Sequence, residues 1–205
     1  MLGLDHVLFA VDDLAQAARW FEERRGLASV PGGSHAGWGT ANRIVPLGGA
    51  YLELIAVEDV QAAAACPFGR WVAGAARAEP RPLGWAVRTQ ELDAVARRLG
   101  LAVVPGGRTR PDGSVIRWRL AGVEQAVADA ALPFFIEWEP GATLPGDAVV
   151  EHPDGPSQVA KLVVEADRGQ LEHWLGQHAL PLEIRPGKGG VVSVIVERMP
   201  SGAAA

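Results

Sequence analysis

The sequence predicts an α+β fold: paired βαβββ modules forming a curved mixed sheet around a cup-shaped cavity, with a third, partial βαββ module at the C-terminus. Three observations lead there. A β-leaning apolar run followed by an amphipathic helix occurs three times. The junctions between them, Val11-Asp12, Thr89-Gln90 and Ala166-Asp167, stand 78 and then 77 positions apart, as an internal repeat requires. Each helix is followed by further strand-like runs, of which "YLELIAV", "FFIEWEP" and "VVSVIVE" close the three units.

The first unit opens with "LDHVLFAV" (4–11) as a strand. Asp12-Asp13 start a helix in which Leu14, Ala17, Ala18 and Phe21 recur at helical spacing, and Gly26 stops it. The Gly-rich stretch 31–39 reads as turn, and 41–47 and 51–57 as strands. The second unit has a strand at 83–89, a helix at about 91–99 stopped by Gly100, a Gly/Pro-rich turn region at 105–113, and the strands "SVIRWRL" and "LPFFIEWE". The third runs "VAKLVVEADRGQLEHWLGQ", then "PLEIRP" and "GVVSVIVE". Proline-rich joints at 80–82 and 140–156 separate modules 1–79 and 80–140, which make one domain, from 141–205. That last segment is expected to pack on the domain and to end in a frayed "SGAAA" tail.

Composition narrows the function. The net charge is −5 and no basic run exceeds two arginines, which argues against nucleic acid as a partner. No apolar stretch approaches the roughly 20 residues of a membrane helix, and no charged-then-apolar leader opens the chain. Cys66 is the single cysteine, so there is neither a disulfide framework nor a Cys-based zinc site, and a cytoplasmic location is expected. The partner expected is a small molecule. Exposed sheet edges between modules make a homodimer plausible.

Strand alternation then places the polar groups. Leu4, His6, Leu8 and Ala10 share one face of the first strand, while Val7, Phe9 and Val11 share the other and should pack under the helix. Tyr51, Glu53, Ile55 and Val57 share a face of the unit's last strand, so an imidazole and a carboxylate sit at matching depths. Registering the units sets His6 against Gly84 and Lys161. It sets Glu53 against Glu137 and Ser193.

A buried His/Glu pair has no stability advantage over apolar residues of similar size, which favours a functional role. Glu53 is a candidate general base. His35, in the loop "GGSHAGWGT", balances between an exposed histidine and one lying over the cavity, where it would fill the vacancy at Gly84 or hold an oxyanion. Thr40 and Asn42 follow it. Arg88 shares the face of Gly84, and Arg117 flanks Trp118 in "VIRWRL". These arginines and Trp85 and Trp118 are candidates for substrate contact, with a solvated strand face or a core position as the plain alternative.

The segments "LDHVLFAVDDLAQAARWF", "GGSHAGWGTANRIVPLGGAYLELI", "PDGSVIRWRLAG" and "PFFIEWEP" together resemble the glyoxalase-like branch of the vicinal oxygen chelate superfamily, which includes glyoxalase, extradiol dioxygenases, epimerases and bleomycin-resistance proteins. The resemblance covers roughly residues 3–140. It implies a divalent metal (Mn, Fe, Ni, Zn or Mg) held on the first and last strands of two modules. On this chain it assigns His6, Glu53 and Glu137 as ligands, with Gly84 where a second histidine would stand. It further implies a metal-dependent lyase, isomerase or dioxygenase acting on a small oxygenated molecule. A metal-free, drug-sequestering binder and a metal-free enzyme using Glu53 as base are the alternatives.

Overall fold

The computed structural model describes residues 1–199, so the "SGAAA" tail lies outside the described residues. The first module runs β1 (Gly3–Ala10), α1 (Leu14–Arg25), β2 (Val30–His35), β3 (Thr40–Leu47) and β4 (Ala50–Val57). The helix α1 begins where the sequence says it should. Asp13 accepts a hydrogen bond from the Gln16 amide, and Gly26 ends the helix at φ 62°, a left-handed cap that a side chain would strain. Two short helices follow, α2 (Val60–Ala65) and α3 (Pro67–Ala75). The second module is β5 (Arg81–Arg88), α4 (Leu92–Leu99), β6 (Val103–Thr109), β7 (Val115–Ala121), α5 (Val123–Ala128) and β8 (Phe134–Trp138). The chain ends as β9 (Ser157–Glu165), α6 (Arg168–Leu175), β10 (Leu182–Arg185) and β11 (Gly190–Arg198), the βαββ remnant expected of the third unit.

The two full modules close into an eight-stranded barrel with neighbour order β1-β4-β3-β2-β6-β7-β8-β5, so the expected cup is a closed ring. The Gly-rich stretches read as turns are in large part the strands β2 and β6. Glycine is a weak strand former, but here it admits a close approach. A Cβ on Gly106 would lie 2.1 Å from the Trp118 indole nitrogen, and one on Gly33 would lie 2.1 Å from the Thr109 carbonyl oxygen across the seam. That seam is thin, with Ser34 and Thr109 the one registered pair between β2 and β6.

The opposite seam is antiparallel and nearly two-fold symmetric. His6 pairs with Ala86, and Leu8 pairs with Gly84, so exchanging the two strands carries 6 onto 84 and 8 onto 86, the same offset of 78 that the sequence repeat shows. The structure therefore supports Gly84 as the counterpart of His6.

Alternation along the strands separates two cores. Outside the barrel, Val7, Phe9, Trp85, Val87 and Phe135 pack under α1, α4 and the second, three-stranded sheet, whose order is β10-β9-β11. Inside, Leu8, Ala10, Ile55, Ala86, Ile116, Trp118, Leu120 and Phe134 pack with Phe68 and Val72 of α3. Each fully buried side chain of this size stabilises the fold by about 1.5–3 kcal/mol. The inner core is where the polar residues also lie.

Candidate active site

His6 enters the barrel from β1, and the strand is irregular at that point. Leu4 pairs with Val87 and His6 with Ala86, leaving Asp5 as an extra residue in a β-bulge. The bulge breaks the alternation that would send Asp5 outward. Both residues are buried instead, at 1% and 4% exposure. His6 Nδ1 lies 2.6 Å from Asp5 Oδ1, and the Trp138 indole N–H donates to Asp5 Oδ2 at 2.8 Å. An ionised Asp5 only accepts, so the His6 ring carries its proton on Nδ1 and directs Nε2 at Glu53. The ring is clamped by Tyr51, stacked at 4.7 Å between centroids, and by Phe134 edge-on at 5.5 Å.

Glu53, 6% exposed on β4, is the centre of the cluster. Its Oε2 is 3.4 Å from His6 Nε2 and its Oε1 is 3.9 Å from His35 Nε2. Asn42 donates to Oε1 through Nδ2 at 2.5 Å. No arginine or lysine forms a salt bridge with Glu53 among the described residues. His35 ends β2, so its position follows from that stretch being a strand rather than a loop. Its Nδ1 meets the Thr40 hydroxyl at 3.1 Å, across the tight turn between β2 and β3. Burial holds the His35 pKa down at about 4, with Glu53 opposing and Arg108 reinforcing the shift, so the ring is neutral at physiological pH. Because Nε2 points at the Glu53 carboxylate, the tautomer with its proton on Nε2 is favoured, and Nδ1 then accepts from the Thr40 hydroxyl. The Tyr51 hydroxyl is pushed well above its ordinary pKa, by burial first and then by the Asp5 and Glu53 carboxylates, and remains a donor.

These groups surround a small, partly open cavity of about 20 Å³, lined among others by His6, His35, Glu53, Arg108, Trp118 and Trp138. That is room for an ordered water or one small polar group. Larger grooves of about 860 and 830 Å³ exist on the surface, but they lie on α1 and β11 and around α6, far from this chemistry.

Of the residues singled out from sequence, the structure brings His6, His35, Thr40, Asn42, Glu53 and Trp118 together. It does not bring in the others. Glu137 points out of the barrel, where Arg119 Nε donates to its Oε2 at 2.9 Å and the Leu92 amide approaches its Oε1 at 3.4 Å. The registration with Glu53 was set by the glutamates, whereas strand pairing sets another. Leu8 faces Glu53 across β1 and β4, and Ala86, the counterpart of Leu8, faces Phe134 across β5 and β8. Phe134 is therefore the positional counterpart of Glu53. Trp85 belongs to the outer core, its N–H given to the Ala131 carbonyl at 3.1 Å. Arg88 braces the barrel end, donating to the Leu4 and Gly49 carbonyls at 2.8 and 2.6 Å. Arg117 is exposed on the outer face of β7. His152 is a strut, accepting from the Ala28 amide and lying 2.8 Å from the Pro46 carbonyl oxygen.

Sequence reasoning missed Asp5, because the bulge is invisible to alternation. It missed Arg108 because "PGGRT" reads as turn, and a buried arginine in a Gly-rich stretch leaves no periodic signal.

The metal that the resemblance implied does not fit the residues present. Gly84 and Phe134 occupy the second module's ligand positions, and Glu137 is outside. Among the described residues no group of three or more His, Cys, Asp or Glu is arranged to hold a metal ion. The Arg108 guanidinium on the cavity wall also disfavours a cation.

The profile of the glyoxalase-like domain matches residues 4–180. The chain belongs to the glyoxalase-like domain family. No curated protein matches it at the level of sequence. Among solved structures, this glyoxalase-like chain is similar to a hypothetical protein from Staphylococcus aureus, with a TM-score of 0.73 at 16% identity, covering 98% of this chain and 93% of that one. That likeness extends the shared fold to the third module. The methylmalonyl-CoA epimerase of Mycobacterium tuberculosis aligns with a TM-score of 0.48 at 25% identity, over 68% of this chain and 89% of that one. A single-substitution variant of the Streptomyces coelicolor methylmalonyl-CoA epimerase, in complex with 2-nitronate-propionyl-CoA, gives 0.49 at 18% identity over 68% and 96%.

Proposed function

We propose that this glyoxalase-like protein is an enzyme that moves a proton at a carbon next to an oxygen-bearing carbon of a small molecule held inside the barrel. Glu53 is the base. The observation that carries this is a buried carboxylate free of any lysine or arginine salt bridge, held between two imidazoles in a wall of aromatic rings.

Each neighbour has a part. Asn42 fixes the Glu53 carboxylate through Oε1, leaving Oε2 directed toward His6 Nε2 and the cavity. Asp5 orients His6, which accepts the proton from Glu53 or returns it. Neutral His35 offers its Nε2 proton to the oxygen on which negative charge develops. The narrow, mostly aromatic site limits the water that can compete for those donors. No step needs a metal, and none is routed through one.

The test is deuterium uptake at carbon, followed by proton NMR in D2O, over a panel of small hydroxy- and oxo-compounds. Exchange with the wild type, its loss in Glu53→Gln, and indifference to chelator or to added Mn2+ or Zn2+ are expected. Tight binding without exchange at any carbon would make the protein a binder instead and end the Glu53 assignment. Exchange that stops with chelator and returns with one cation would restore the metal.

A further inference from the structure

Arg108 is the second unusual group in the barrel. It is 5% exposed, lines the cavity with Glu53 and the two histidines, and forms no salt bridge among the described residues. Its Nη1 donates to Asn42 Oδ1 at 3.3 Å, and its Nε, fully buried, has no hydrogen-bond partner among the described residues. A buried guanidinium with no carboxylate in direct contact is costly, and an orphaned N–H on it adds to the cost. The edge left unpartnered is the one through which arginine grips two oxygens at once.

We infer that Arg108 binds the carboxylate of a small monocarboxylic substrate, placing its neighbouring carbon at Glu53. The inference rests on the functional reading that the barrel interior takes a small oxygenated molecule, and it names that molecule's class. A flat carboxylate matches the open edge of the guanidinium and is the size of group the cavity admits. A doubly charged phosphate is disfavoured by the Glu53 carboxylate in the same wall. The half-buried Trp38 and Trp138 line the cavity and reach the surface, so the rest of the molecule would extend past them toward solvent. Asn42 links the two ends of the site, since its Oδ1 receives Arg108 and its Nδ2 holds Glu53. Occupation of Arg108 is thereby coupled to the orientation of the base.

Binding is tested on the whole protein at neutral pH, by calorimetry and by tryptophan fluorescence, with acetate, glycolate, lactate, lactamide and inorganic phosphate as probes. Trp38, Trp118 and Trp138 line the cavity and report directly. The expected result is saturable binding of at least one carboxylate and, for lactate, at least about tenfold weaker binding of the isosteric neutral lactamide. Arg108→Gln should lose the carboxylate by a similar factor, and Arg108→Lys, which keeps the charge but not the fork, should lose part of it. Equal binding of lactate and lactamide, tighter binding of phosphate than of every carboxylate, or no binding of any carboxylate would overturn the inference. If Arg108→Gln does not fold, the wild-type comparison of acid with amide still decides. Carboxylate binding without deuterium exchange would leave Arg108 standing while Glu53 as base fails, so the two failures are distinguishable.

Discussion

Asp5 and His6 are neighbours in a strand, yet both face inward, with Asp5 Oδ1 2.6 Å from His6 Nδ1. The bulge that permits this converts a single histidine into a carboxylate–imidazole pair. Replacing Asp5 by Asn keeps the shape and removes the charge that holds the His6 proton on Nδ1. The deuterium-exchange rate should fall by roughly tenfold or more, as for other imidazoles deprived of an orienting carboxylate. Nitrogen-15 shifts of the His6 ring should show Nδ1 losing its proton in part. An unchanged tautomer together with an unchanged rate would mean that Asp5 serves the bulge and not the chemistry.

His35 makes stability depend on pH. Its folded pKa, about 4, lies below the ordinary histidine value of 6.5, so between those values the unfolded chain binds the extra proton and the folded chain does not. Stability from this group is complete above pH 6.5 and is lost as the pH falls toward 4. The loss is on the order of 3 kcal/mol. Urea unfolding of wild type and His35→Gln across that window should give stability differences that converge as the pH falls. Parallel curves would contradict a neutral, buried His35.

Gly84 stands where the repeat would put a second histidine, and Trp71 of α3 occupies the space. A Cβ there would lie 2.4 Å from the Trp71 ring. Gly84→Ala should destabilise the protein by about 1–3 kcal/mol through overpacking. Trp71→Phe in the same chain should recover part of that, giving a clearly non-additive double-mutant cycle in denaturant titrations. Additive losses would show that the ring and the glycine are independent.

Glu137 is a surface residue with an ion-pair partner rather than a member of the site. Glu137→Gln should leave deuterium exchange and carboxylate binding unchanged and cost within about 1 kcal/mol, because its partner Arg119 is 43% exposed at the side chain. A large loss of exchange in this variant would return Glu137 to the site.

By itself the sequence determined the repeated module, the offset of 78 between its copies, the helix caps at Asp13 and Gly26, and the inward face carrying His6 and Glu53. These follow from local chemistry: apolar periodicity, capping side chains and the two-residue alternation of strands. Thr40, Asn42 and Trp118 stood as candidates from sequence, but which side of their strands faces the cavity was not legible there. Tertiary structure decided the rest. Only strand pairing shows that Phe134, and not Glu137, answers Glu53, because a register shift changes the face of a side chain while leaving its strand intact. Only closure of the barrel turns two glycine-rich stretches into β2 and β6, since the hydrogen bonds that make them strands come from neighbours distant in sequence. His35 and Arg108 reach the cavity on those two strands, so half of the site exists because the ring closes.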